Sequence, residues 1–147
     1  MRLLPFVFAV ALGCNSSEPA RPKLELVEAP AVKDVAVYVS GALMSAESAH
    51  KRLLVYVGAE WCEPCRHFHD AAAAGQLDET FGQLRVLVFD ADRDKDALQH
   101  AGYTSELIPL FALPLPDGRA SGKQIEGSIK GDGAMANISP RLQQLLQ

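Results

Sequence analysis

The chain has 147 residues, a formal charge of -4 at pH 7, and 48% hydrophobic against 22% charged residues. That is enough for one domain with a buried core and too little for two ordinary ones. An acidic balance with no basic footprint excludes nucleic acid as an expected partner.

Residues 1–13, MRLLPFVFAVALG, carry one cation at Arg2 and an apolar run from Leu3 to Leu12. The run is well short of the roughly 20 residues that span a bilayer, so the segment is predicted to be a secretory signal peptide. Ala11, Leu12, Gly13 and Cys14 resemble a bacterial lipobox, departing from it at Ala11, where leucine is commoner. The resemblance implies a lipid anchor on Cys14 in the bilayer of a bacterial cell envelope, with the domain facing the periplasm. Asn15 is not the aspartate that in some bacteria holds a lipoprotein at the inner membrane, so inner and outer membranes both stay open. Residues 14–31 are rich in proline and charge and are expected to form a flexible tether, and 32–147 the domain. The roughly seventeen residues after Cys14 reach about 55 Å when extended.

Within the domain, short β-rich runs alternate with helix-like segments. Residues 34–39 (DVAVYV) are predicted as a strand and 44–51 as a short helix opened by Ser45. Residues 53–57 (LLVYV) form a continuous apolar run suited to a strand buried on both faces. A helix is expected from Cys62 through the alanines at 71–74, broken near Gly75, with a second piece at 77–81. Residues 85–90 (RVLVFD) are the next strand, and 94–101 a helix stopped by Gly102. Residues 110–113 and 124–128 flank Pro116, Asp117, Gly118 and Arg119, a strong turn signal for a hairpin. A last helix lies within 132–146. The order βαβαβαββα predicts an α/β domain with a central mixed sheet of about five strands and helices on both faces.

The chemistry concentrates in GAEWCEPCR at 58–66. Cys62 follows an apolar strand and opens a helix, where unpaired N–H groups and the positive end of the helix dipole favour a thiolate. Its pKa is expected to fall below the free value of about 8.5, making Cys62 the attacking thiol. Cys65, one turn later and expected to be better covered, resolves. Pro64 stiffens the first turn. Glu63 puts a carboxylate beside the thiolate, which disfavours that charge and makes the reduced pair a stronger reductant. Ile108 and Pro109 open a later strand, and a cis bond there would turn the Ile108 backbone toward an extended peptide.

With WCEPC between a strand and a helix, and Ile108-Pro109 before a hairpin, the chain resembles the thioredoxin-fold family over roughly residues 32–146. Asp90, Ala91 and Asp92 and the looser second helix are similar to exported thioredoxin-like reductases, such as the C-terminal domain of DsbD or a thioredoxin-like lipoprotein. The resemblance implies attack by Cys62, resolution by Cys65, a peptide groove shaped by Ile108 and Pro109, and Trp61 at its rim. It departs at Tyr56, six residues before Cys62, where thioredoxin has a buried aspartate as proton acceptor. Glu60, Glu63, Asp90 or water could replace it.

Other readings are weaker. A clip across so short a loop constrains the unfolded chain little. His67 and His69 are two apart on a helix and cannot both face the thiols, so they read as solvated or supporting residues, and no metal is expected. Arg66 stands where a covalent haem site needs histidine. The acidic stretch at 90–96 lacks the glycine and glutamate of a calcium loop and reads as a solvated connection. The expectation is a monomeric, membrane-tethered thiol-disulfide oxidoreductase without a cofactor. It would reduce or isomerise disulfides of exported proteins through Cys62 and Cys65 and take electrons from a membrane thiol donor. The alternative is copper(I) or zinc delivery with the two thiols as ligands.

Overall fold

The computed structural model of the chain describes residues 20–147; the leader at 1–13, Cys14 and the start of the tether lie outside the described residues. The elements are β1 (Glu25–Glu28), α1 (Val35–Ser48), β2 (Arg52–Gly58), α2 (Glu63–Ala73), α3 (Asp78–Phe81), β3 (Leu84–Asp90), α4 (Lys95–His100), β4 (Leu110–Pro114), β5 (Ala120–Glu126) and α5 (Ala134–Leu145). They form one five-stranded sheet in the order β1-β3-β2-β4-β5. Strands β1, β3 and β2 are mutually parallel, and β4 and β5 are antiparallel additions.

Central strand β2 explains the two-layered core. Alternate side chains of a strand point to opposite faces, so Leu53, Val55 and Val57 pack with α1 and α4, whereas Leu54 and Tyr56 pack with α2, α3 and α5. Strand β3 divides the same way: Leu87 and Phe89 join the first layer, and Leu84, Val86 and Val88 the second. A run buried on both faces therefore has no polar alternation to show.

Two expectations are corrected. Residues 34–39 are helical, not extended, because the Asp34 carboxylate accepts the Val37 N–H at 3.0 Å and caps α1. Val35, Val39 and Ala46 then fall on one buried face, and that packing overrides the β preference of valine. The predicted helix at 44–51 is the second half of α1, and Ser45 lies inside it rather than at its start.

The first strand instead lies at Glu25–Glu28, within the segment assigned to the tether. It is a short edge strand, held by parallel pairing to β3 and by Glu25 accepting from Arg85 Nε at 2.8 Å. The Leu24 N–H bonds to Asp78 Oδ1 at 2.9 Å, fixing the entry to β1. The ordered domain thus extends upstream of residue 32.

Pro116, Asp117, Gly118 and Arg119 form the β4–β5 turn, closed by Leu115 N–H to Arg119 O at 2.7 Å. Gly118 has φ 82° and sits where a Cβ would overlap the Ala36 carbonyl of α1, so only glycine seats the hairpin there. Tyr103 secures the same turn by donating its hydroxyl to Gly118 O at 2.8 Å.

Candidate functional site

Strand β2 ends at Gly58, and the chain turns through residues 59–61 into α2 with Cys62 as its N-cap. Cys62 Sγ accepts the Cys65 N–H at 3.3 Å, and its carbonyl accepts from Arg66 N at 3.1 Å. The sulfur therefore lies among the unpaired donors of a helix end, where negative charge is stabilised. Pro64 occupies the first turn, which needs no intrahelical N–H.

Cys62 and Cys65 are joined as a disulfide, with Cα atoms 5.2 Å apart. Both residues are buried, at 4% and 2% exposure, so coverage separates the attacking from the resolving cysteine only slightly. They differ in surroundings instead. Cys62 adjoins Trp61, which is 66% exposed and donates Nε1–H to Asp92 Oδ2 at 2.8 Å. Cys65 lines a cleft of ≈ 620 Å³ behind the helix, with Tyr56, Gly58, Glu60, His69 and Asp90.

Glu63 has partners of its own: its carboxylate accepts the Gly131 N–H at 2.9 Å and lies 3.8 Å from His67 Nε2. Its charge is already engaged, so its field at Cys62 is weaker than a free carboxylate beside a thiolate would produce. We expect Glu63→Gln to raise the reduction potential by only about 10–20 mV, the equivalent of a half-exposed charge interaction. Equilibration with glutathione would read the shift, and a fall in potential would refute the sign.

Tyr56 is fully buried beneath the site, and its hydroxyl has no hydrogen-bond partner in the structure. Burial, aided by the Glu28 charge, pushes its pKa far above the ordinary tyrosine value, so it remains protonated and takes no proton from Cys65. An unpaired buried hydroxyl costs about 1–3 kcal/mol. Tyr56→Phe should therefore raise thermal stability by about 1 kcal/mol, a few degrees in Tm; a comparable fall would mean that the hydroxyl is paired in solution.

Of the acids named as replacements, Asp90 Oδ1 accepts the N–H groups of Asp92 and Arg93 at 2.9 and 2.7 Å. Asp94 is buried and bonded through Oδ2 to Arg93 Nη2 at 2.7 Å and to the Asp90 N–H at 3.0 Å. The acidic stretch is thus an internally bonded loop rather than a merely solvated connection. The Ile108-Pro109 bond is cis, Pro109 is buried, and Ile108 packs on the apolar cluster that contains both cysteines.

Sequence reasoning missed the cleft behind Cys65 and the place of His69 in it. The available signal was the spacing of Cys65 and His69, four apart on α2 and so on one face. Among the described residues no group of three or more histidine, cysteine or acidic side chains is placed to hold a metal ion.

No family model matches the chain. A probable nucleoredoxin 1 of Arabidopsis thaliana is 26% identical over 129 residues, covering 84% of this chain but 22% of that protein. A poplar thioredoxin h structure superposes with a TM-score of 0.52 at 23% identity, covering 84% of this chain and 94% of that one. The chain has the thioredoxin fold, with the Cys62–Cys65 disulfide at the N-terminus of its second helix.

Proposed function

We propose that the protein is a thiol-disulfide oxidoreductase that is tethered to a membrane and reduces or isomerises disulfides of exported proteins. The observation that carries the activity is the Cys62–Cys65 pair, with Cys62 Sγ at a helix N-terminus accepting the Cys65 N–H. In the reduced protein that position favours the Cys62 thiolate, the form that attacks a disulfide. The resulting mixed disulfide is within reach of Cys65, which displaces the substrate thiol and restores the internal disulfide.

Exposed apolar side chains on three segments of the domain support a polypeptide substrate. Trp61, Leu107 and Ile129 are large exposed apolar side chains at 66%, 61% and 54%. Leu107 lies against Gly127, and the segment after it reaches Glu63 through Gly131. With Ile108 and Pro109 these side chains offer an apolar bed for an unfolded polypeptide. The envelope location rests on the signal-like residues 1–13 and Cys14, and the electron donor would be a membrane thiol protein. Radiolabelled palmitate on the wild-type chain but not on Cys14→Ser would support the anchor; label on neither would remove it.

The test of activity is insulin reduction by the full chain with dithiothreitol as donor. Wild type should accelerate precipitation of the insulin B chain, and the Cys62→Ser, Cys65→Ser double variant should not. Equal rates would refute the activity. A potential near about -270 mV would mark a reductant, and one near about -120 mV an oxidant.

A further inference from the structure

We propose that His69 is the proton acceptor for Cys65 when Cys65 resolves the mixed disulfide. The proposal rests on the oxidoreductase reading and deepens it. His69 follows Cys65 by one helical turn on the same face of α2, and both side chains line the cleft behind the helix. The imidazole is half-buried, and its ring lies edge-on to Tyr56 at 5.3 Å and to Phe68 at 6.0 Å. Two aromatic rings therefore pack against the imidazole in the cleft that Cys65 also lines.

The other groups at the cleft fit the task less well. Tyr56 keeps its proton, as burial requires. Asp90 accepts two backbone N–H groups through Oδ1, which turns its carboxylate toward the 90–93 loop. Glu28, Glu60 and Asp70 are exposed or at the rim, while Arg66 and Arg93 are cations with no proton-accepting role. A neutral imidazole offers a nitrogen lone pair that takes up a proton and returns it, which a guanidinium lacks.

The step balances without any other group. Cys62 first attacks the substrate disulfide, giving a Cys62–substrate mixed disulfide and one substrate thiolate, which takes a proton from solvent. His69 then accepts the Cys65 proton, Cys65 Sγ bonds to Cys62 Sγ, and the Cys62–substrate bond breaks. The second substrate thiolate leaves and takes up a proton. Two electrons have passed from the cysteine pair to the substrate disulfide, and an external dithiol later restores the pair.

The test uses the reduced full chain carrying Cys14→Ser, so that Cys62 and Cys65 are its only thiols, mixed with one equivalent of 5,5′-dithiobis(2-nitrobenzoate) in a stopped-flow instrument. The first thionitrobenzoate released reports attack by Cys62, and the second reports resolution by Cys65. His69→Gln should leave the first phase unchanged and slow the second by about 10²-fold at pH 6, the low end for general-base catalysis. The gap should close toward about pH 9, where a thiol ionises unaided. Equal second phases at pH 6, or a slowing that is the same at every pH, would overturn the role. Failure of wild type to reduce insulin while both phases persist would instead sink the oxidoreductase reading alone.

Discussion

Cys65→Ser should abolish turnover while leaving attack intact, so that the variant accumulates mixed disulfides with substrate proteins through Cys62. The geometry explains why attack survives. The hydrogen bond that Cys62 Sγ receives comes from the backbone N–H of residue 65, not from its side chain. Replacing the side chain therefore keeps the helix-end donors that stabilise the Cys62 thiolate. What disappears is the second sulfur, without which the mixed disulfide cannot be resolved internally. Insulin reduction should fall by at least about 10³-fold, the scale expected when a covalent route loses an essential group. Non-reducing gels should show adducts that dithiothreitol removes, and Cys62→Ser should show none. Adducts on Cys62→Ser but not on Cys65→Ser would reverse the two roles.

The strands that the sequence exposed best are those with a single dominant cause. LLVYV at 53–57 and RVLVFD at 85–90 are apolar on both faces because helices cover both sides, and burial there decides the structure. WCEPC likewise combines a strand end, a helix start and a first-turn proline, three local signals that agree. The errors fall where local and tertiary causes compete. DVAVYV looks extended by propensity, yet the Asp34 cap and the buried spacing of Val35 and Val39 make it helical. ELVE looks like linker because its four residues are an edge strand, stabilised by β3 and by an ion pair sixty positions away.

The site shows the same division. The cysteines and the proline were legible from spacing. The direction of Glu63 was not, since its partner Gly131 belongs to a loop far along the chain. Tyr56 was recognisable as a departure from thioredoxin, but its consequence required seeing what packs against it. Beside Phe68 and Phe111, that includes the imidazole of His69, which the sequence presents only as one of two neighbouring histidines.

Phe68→Ala should be the most damaging single core substitution on the active-site side. Phe68 is fully buried, stacks on Tyr56 at 5.3 Å between ring centroids, and meets Phe111 edge-on at 4.9 Å. It joins α2 to β2 and β4 in one aromatic cluster, so no single neighbour can move to fill its place. Truncation should cost about 3–5 kcal/mol, and that is a large share of the roughly 5–15 kcal/mol that holds a domain together. Urea unfolding should show a lower midpoint with an unchanged slope. Val37→Ala on the exposed side of α1, where Val37 is 68% exposed, should stay within about 0.5 kcal/mol. A loss at Phe68 no larger than that at Val37 would mean that the cluster does not anchor α2. Phe68→Leu keeps much of the volume and should cost less. It removes the ring face beside His69, so in that folded variant the second thionitrobenzoate phase should slow while the first is preserved. An unchanged second phase would mean that Tyr56 alone orients the imidazole.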